Sequence, residues 1–121
     1  MGKAPVSFSS AMESFDYPGV IEITAEELKN RVNEVHVIDV RRPDEFSGEL
    51  GHIAGARLIV LNTIPERLLE LPRDGALVFV CLMGGRSAKA AMFAKENGVT
   101  QVYNLQGGML RWNQLGYPIE K

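Results

Sequence analysis

The run ALVFV at residues 76–80 ends at Cys81, the chain's only cysteine, and LMGGRS follows. No other stretch constrains the fold as much. Five consecutive apolar residues leave no polar side to turn toward water. A strand here is therefore buried on both faces, as at the centre of a parallel sheet. The alanine-rich SAKAAMFAKENG (87–98) comes next. It is predicted as a helix whose small side chains allow close packing on a sheet, with Gly98 as its C-terminal cap.

The rest of the chain repeats this alternation from Val20 onward. Strands are predicted at VIEI (20–23), VHVIDV (35–40), RLIVL (57–61) and QVYNL (101–105). Helices are predicted at TAEELKNRVN, with a capping box from Thr24 to Glu27, and at TIPERLLEL (63–71), with another from Thr63 to Glu66. RPDEF reads as a turn or a single helical turn, and GMLRWNQLG (108–116) as the last helix, ended by Gly116. Alternating strands and helices imply an α/β fold, a mainly parallel sheet with helices on both faces. Residues 1–19, rich in Ser, Pro and Gly and without periodicity, read as an N-terminal arm with no order of its own, leaving 20–121 as one domain.

Bulk properties narrow the function. A net charge of -2 argues against a nucleic-acid surface or a polybasic membrane patch. No apolar run reaches transmembrane length, and the N-terminus shows no signal-peptide core. Val6 stands where a myristoylation motif needs Ser or Thr. One cysteine allows no internal disulfide, so a reducing cytoplasm is the expected compartment.

Ligands of open α/β sheets bind beyond the carboxyl ends of the strands, which is where Cys81 falls. In the loop that follows, Gly84 and Gly85 let the backbone curl and aim several N–H groups inward as an anion nest. The next helix adds its positive end, and Arg86 adds a full charge. A lone cysteine on a strand is usually an inert apolar residue. Strand, Cys, two Gly, Arg and helix within a few residues point instead to a functional thiol, with a pKa lowered by helix terminus and basic neighbour. Cysteine phosphatases use a related cradle but separate Cys and Arg by five residues. Here four, Leu82 to Gly85, stand between Cys81 and Arg86, and no His precedes the cysteine. The smaller ring suits a terminal sulfur better than a phosphate.

These residues resemble the rhodanese family of sulfurtransferases. VIDVRRPDEFSGELGHIAGA (37–56) looks like the family's first signature, VFVCLMGGRSAKAA (78–91) like its active-site loop and helix, and NLQGGMLRW (104–112) like its C-terminal signature. The resemblance covers about residues 20–120. It implies a rhodanese-like domain with a five-stranded parallel sheet and Cys81 as the sulfur-carrying nucleophile. Leu82, Met83, Gly84, Gly85, Arg86 and Ser87 would form the active-site loop. It implies a donor such as thiosulfate or a persulfide, a thiol or cyanide acceptor, and no metal or organic cofactor. A protein sulfur donor or acceptor fits as well. The alternative is a persulfide carrier of the same fold with little turnover. The chain departs from thiosulfate-specific members at Leu82 and Met83, which are apolar where basic residues often follow the cysteine.

Asp39 is expected to cap a turn and pair with Arg41 or Arg42 rather than to serve the chemistry. His52 is expected to fix a loop by hydrogen bonding, and Trp112 and Met109 to pack. Arg42–Glu49 is expected to be a solvated face.

Overall fold

The computed structural model describes residues 6–121. All five strands expected from the sequence form: β2 (Ile21–Ile23), β3 (His36–Asp39), β4 (Arg57–Leu58), β5 (Leu77–Val80) and β6 (Val102–Leu105). A sixth, β1 (Met12–Glu13), pairs antiparallel with β2, and all other pairings are parallel. The sheet order is β1-β2-β6-β5-β3-β4.

β5 lies between β6 and β3 and is buried along its whole length, as its unbroken apolar run requires. Its side chains alternate between two cores. Leu77, Phe79 and Cys81 join Ile38, Val40 and the alanines of α3 (Gly85–Glu96) on one face. Val78 and Val80 join Val37, Leu105, Leu28 of α1 (Ala25–Leu28), and Met109 and Trp112 of α4 (Gly108–Gln114) on the other. Ala88, Ala90, Ala91 and Ala94 are fully or almost fully buried, which explains the alanine content of α3: larger side chains would hold it off the sheet. Among the described residues no helix is long and apolar enough to cross a membrane.

Residues 1–5 of the expected arm lie outside the described residues, but 6–19 are packed. Phe8 is buried and meets Tyr103 edge to face with ring centroids 5.1 Å apart. Burying one phenylalanine stabilises by about 2 kcal/mol, enough to order a short segment. The Glu27 carboxylate supplies the polar half. It accepts from the Ser9 and Ser10 N–H groups at 2.9 and 2.8 Å and from both serine hydroxyls. The capping box at Thr24 is correspondingly half made. Thr24 Oγ1 accepts from the Glu27 N–H at 3.2 Å, while the Thr24 N–H goes to Ser10 Oγ. α1 is a single turn rather than the longer helix that the pattern suggests, and a 3₁₀ turn at Val32–Glu34 follows it.

The segment expected as a helix at 63–71 is 3₁₀, spanning Leu61–Glu70, with a non-helical break at Arg67. Pro65 within it has no N–H to give an α-helical ladder. RPDEF forms the one turn α2 (Pro43–Phe46).

Candidate active site

The chain leaves β3 toward β4 on one side and leaves β5 toward β6 on the other, so the strand order reverses between β3 and β5. In open α/β sheets the crevice at such a reversal, at the carboxyl ends of the strands, is the usual binding place. Cys81 follows β5 there, and α2 follows β3.

Two contacts from α4 shape the Cys81 loop. The Met109 and Leu110 N–H groups donate to the Cys81 and Leu82 carbonyls, both at 2.9 Å. In a trans peptide the N–H points opposite to the C=O. The Leu82 and Met83 N–H groups are therefore turned away from α4, toward the face on which the Cys81 side chain lies. Gly84, at φ +115°, bends the chain into α3 and donates its N–H to Cys81 Sγ at 3.1 Å. No residue with a Cβ takes that φ readily.

The sulfur lies on the floor of the loop, not at its mouth: Cys81 is 1% exposed. Ser87, on the first turn of α3, brings its hydroxyl to 3.2 Å from Sγ. Ser87 also donates to Asn104 Oδ1, and Asn104 Nδ2 donates to the Gly84 carbonyl at 3.0 Å and to Glu22 Oε2 at 3.2 Å. Met83 is exposed on the outer rim, and Leu82 is half-buried. Gly85 sits beneath the Tyr17 hydroxyl, 3.2 Å from where a Cβ would be.

Arg86 does not point into the loop. Its guanidinium makes two hydrogen bonds to the Glu45 carboxylate, at 2.8 and 2.9 Å, across the crevice between α3 and α2. Glu45 also accepts from the Arg42 N–H at 3.1 Å. The Arg86 hydrogen bonds hold the Glu45 carboxyl at about 2, with partial burial opposing and the Arg42 N–H and both arginine charges adding. The group is depressed, so its stabilisation is complete above the ordinary value of 4.5 and disappears as pH falls toward 2. Arg86 is a third exposed, so solvent screening leaves about 1–3 kcal/mol at neutral pH. Glu45→Gln is expected to lower stability at pH 7 by that amount. It should also flatten the loss of stability between pH 4.5 and 2 in acid titrations followed by circular dichroism.

Beneath these residues Asp39 and Arg41 form a buried pair, each 1% exposed, closed by a 2.8 Å contact and by a hydrogen bond from Arg41 to the Gly51 carbonyl. His52 Nδ1 bonds the Phe46 carbonyl at 2.9 Å and its ring stacks on Phe46, fixing the loop after α2. Both are structural supports, in line with their sequence reading. Glu45 and Asn104 are the site residues that the sequence reading passed over. The Arg42–Glu49 stretch is solvated as expected at Arg42, Pro43, Asp44, Ser47 and Glu49, while Glu45, Phe46 and Gly48 are half-buried.

The model of the rhodanese-like domain matches residues 24–115. The chain belongs to the rhodanese-like domain family. A sulfurtransferase of Allochromatium vinosum is 35% identical over 83% of this chain and 94% of its own length. The thiosulfate sulfurtransferase GlpE of Pseudomonas aeruginosa is 34% identical over 74% of this chain and 79% of its own. In structure, a rhodanese-related protein of Thermoplasma volcanium superposes with a TM-score of 0.75 at 32% identity, over 80% of this chain and 94% of that one. The rhodanese-like fold expected from the three signatures is thus the observed one, with β1 added at the edge.

Two cavities flank the loop. One, of about 340 Å³, is lined by Phe15, Asp16, Tyr17, Glu22, Met83 and Gly84 among others. The second, of about 200 Å³, is lined by Arg41, Asp44, Glu45, Glu49 and Leu82 with two further residues. Neither cavity offers an uncommitted cation among the described residues. The first has no lysine or arginine in its lining, and in the second Asp39 already holds Arg41. A larger hollow, of about 370 Å³, opens at the far end of β3 near His36, Arg57 and Pro72, away from the cysteine.

Proposed function

We propose that this chain is a sulfurtransferase that carries sulfane sulfur on Cys81 as a persulfide, held by the Leu82–Ser87 loop. The observation that carries the reading is the sulfur on the floor of a tight loop, with the Gly84 N–H and the Ser87 hydroxyl within hydrogen-bond distance. The sulfurtransferase names of its relatives support it. Loading is displacement at sulfur. The Cys81 thiolate attacks the outer sulfur of thiosulfate, a new S–S bond forms, the old sulfur–sulfur bond breaks, and its electron pair leaves with sulfite. Discharge is a second displacement at the same outer sulfur: a thiolate or cyanide attacks it, the bond to Sγ breaks, and Cys81 leaves as thiolate. The loop amides turned away from α4 are aimed to stabilise the anionic outer sulfur.

A phosphatase reading loses its cation, because Arg86 is held by Glu45. The same fact bears on the donor. The rim presents Asp16, Glu22 and Glu49 beside apolar Met83 and Leu82, and Phe15 is 98% exposed at its edge. Such a rim repels a dianion more strongly than a monoanion and gives an apolar group a place to rest. A thiol persulfide, small or carried by a protein, therefore suits this site better than thiosulfate. A reducing compartment such as the cytoplasm keeps the thiol available.

Intact mass after mixing with thiosulfate or with cysteine persulfide, followed by cyanide and thiocyanate assay, tests the reading. One added sulfur that cyanide removes is expected, and no gain from either donor overturns it. A gain from the persulfide alone, without cyanide turnover, would instead mark a carrier. The rim makes a second prediction. Loading by thiosulfate, a dianion, should accelerate as salt screens like charges, while loading by a simple alkyl persulfide, at most a monoanion, should change less. Asp16→Asn combined with Glu49→Gln should raise the thiosulfate kcat/KM about threefold at low salt.

A further inference from the structure

The hydroxyl of Ser87 has one proton and two acceptors, Cys81 Sγ at 3.2 Å and Asn104 Oδ1. Ser87 and Asn104 are both wholly buried, so water cannot serve as a third. The Asn104 amide cannot turn over to change this choice. Its Nδ2 donates to the Gly84 carbonyl and to a Glu22 carboxylate oxygen, which are acceptors only. Flipping the amide would set its oxygen against both of them. Chemistry thus fixes Oδ1 toward Ser87.

We propose that Asn104 is a positioning residue for sulfur transfer, giving the Ser87 proton a second place to rest. This rests on the persulfide reading above. While Cys81 is a thiolate, the negative sulfur is the stronger acceptor and takes the Ser87 O–H. When Cys81 attacks the donor, Sγ becomes a neutral, divalent sulfur singly bonded to Cβ and to the outer sulfur, and the charge passes to the outer atom. The Ser87 O–H then rotates to Asn104 Oδ1. With cysteine persulfide as donor, the Cys81 thiolate bonds to the outer sulfur and the inner sulfur leaves as a cysteine thiolate. The proton of the outer sulfur passes to that thiolate, so charge and atoms balance without an oxidant. On discharge the hydroxyl swings back and receives Sγ as a leaving group. Asn104 therefore stabilises the loaded state relative to the empty one by about one neutral hydrogen bond, while Ser87 stabilises the empty state by a charged one.

The two residues should then move the loading equilibrium in opposite directions. The readout is the ratio of loaded to empty protein by intact mass, at a fixed ratio of cysteine persulfide to cysteine. Asn104→Ala should shift it toward empty by about 3–10-fold, the worth of a neutral hydrogen bond. Ser87→Ala should shift it toward loaded, and Ser87→Thr should restore the wild-type ratio. In the double variant Asn104→Ala adds nothing, because it acts only through the hydroxyl. A shift from Asn104→Ala that persists in the Ser87→Ala background would mean that the amide merely anchors Gly84, and overturns the proposal. So does a Ser87→Ala shift toward empty, which can be read even if Asn104→Ala does not fold. Failure of the wild type to load at all strikes the persulfide reading instead, so the two failures are distinct.

Discussion

Cys81→Ser gains no sulfur from thiosulfate or from cysteine persulfide, and its thiocyanate production falls by about a thousandfold or more. The loss is expected to be this large because no other group in the crevice can replace the sulfur. An alcohol is not ionised at neutral pH, and its oxygen does not take part in displacement at sulfur as a thiolate does. The chain has no second cysteine to accept the atom. Stability should change little, by about 1 kcal/mol. The serine oxygen would still face the Gly84 N–H and the Ser87 hydroxyl, so a buried polar atom is not left without partners. A folded, inert protein is the expected result, checked by mass, cyanide assay and thermal melting together. Persistent loading of the serine variant would remove Cys81 from the mechanism.

The sequence made the middle of the sheet legible because its signals are local. ALVFV can only be a strand covered on both faces, and the glycines after Cys81 can only be a tight turn. What it hid is long-range and polar. The arm over 6–19 is ordered by Glu27, which lies 17 and 18 positions from Ser10 and Ser9 and which local pattern assigns to a helix cap. Glu45 reads as one more charge on a solvated stretch until folding brings Arg86, 41 residues on, into reach. Asn104 did carry a signal. Asparagine is disfavoured within strands, and one in a strand beside the core must find partners for its amide. Here those partners are the Gly84 carbonyl in the turn after Cys81 and the serine that faces the sulfur. The 3₁₀ segment at 61–70 is hidden for a different reason: its apolar spacing fits a helix, and only the proline inside argues otherwise.

Gly108→Ala is expected to damage the loop and the fold together, although residue 108 touches no substrate. Gly108 has φ +56°, and a Cβ there would lie 2.4 Å from the Cys81 carbonyl oxygen and 2.5 Å from that of Leu82. Both neighbours are backbone, so no side chain can rotate away. These are also the carbonyls that the Met109 and Leu110 N–H groups hold, and that hold sets the direction of the loop amides. A left-handed alanine costs about 1–2 kcal/mol, and forced overpacking adds about 1–3 kcal/mol. A total of about 2–5 kcal/mol follows, a large part of the stability of a small domain. Displacing the loop by the half ångström or more that the clash demands should cost about a hundredfold in transfer rate. Gly55→Ala separates the two contributions. Gly55 also has positive φ, at +84°, but nothing lies within 4 Å of its would-be Cβ. That variant should lose only the conformational part of the stability and keep full activity. If Gly108→Ala melts no lower than Gly55→Ala and transfers sulfur at the wild-type rate, α4 does not hold the loop in its working shape. If it melts lower but loses activity only in proportion to the unfolded fraction, the contact serves the fold alone.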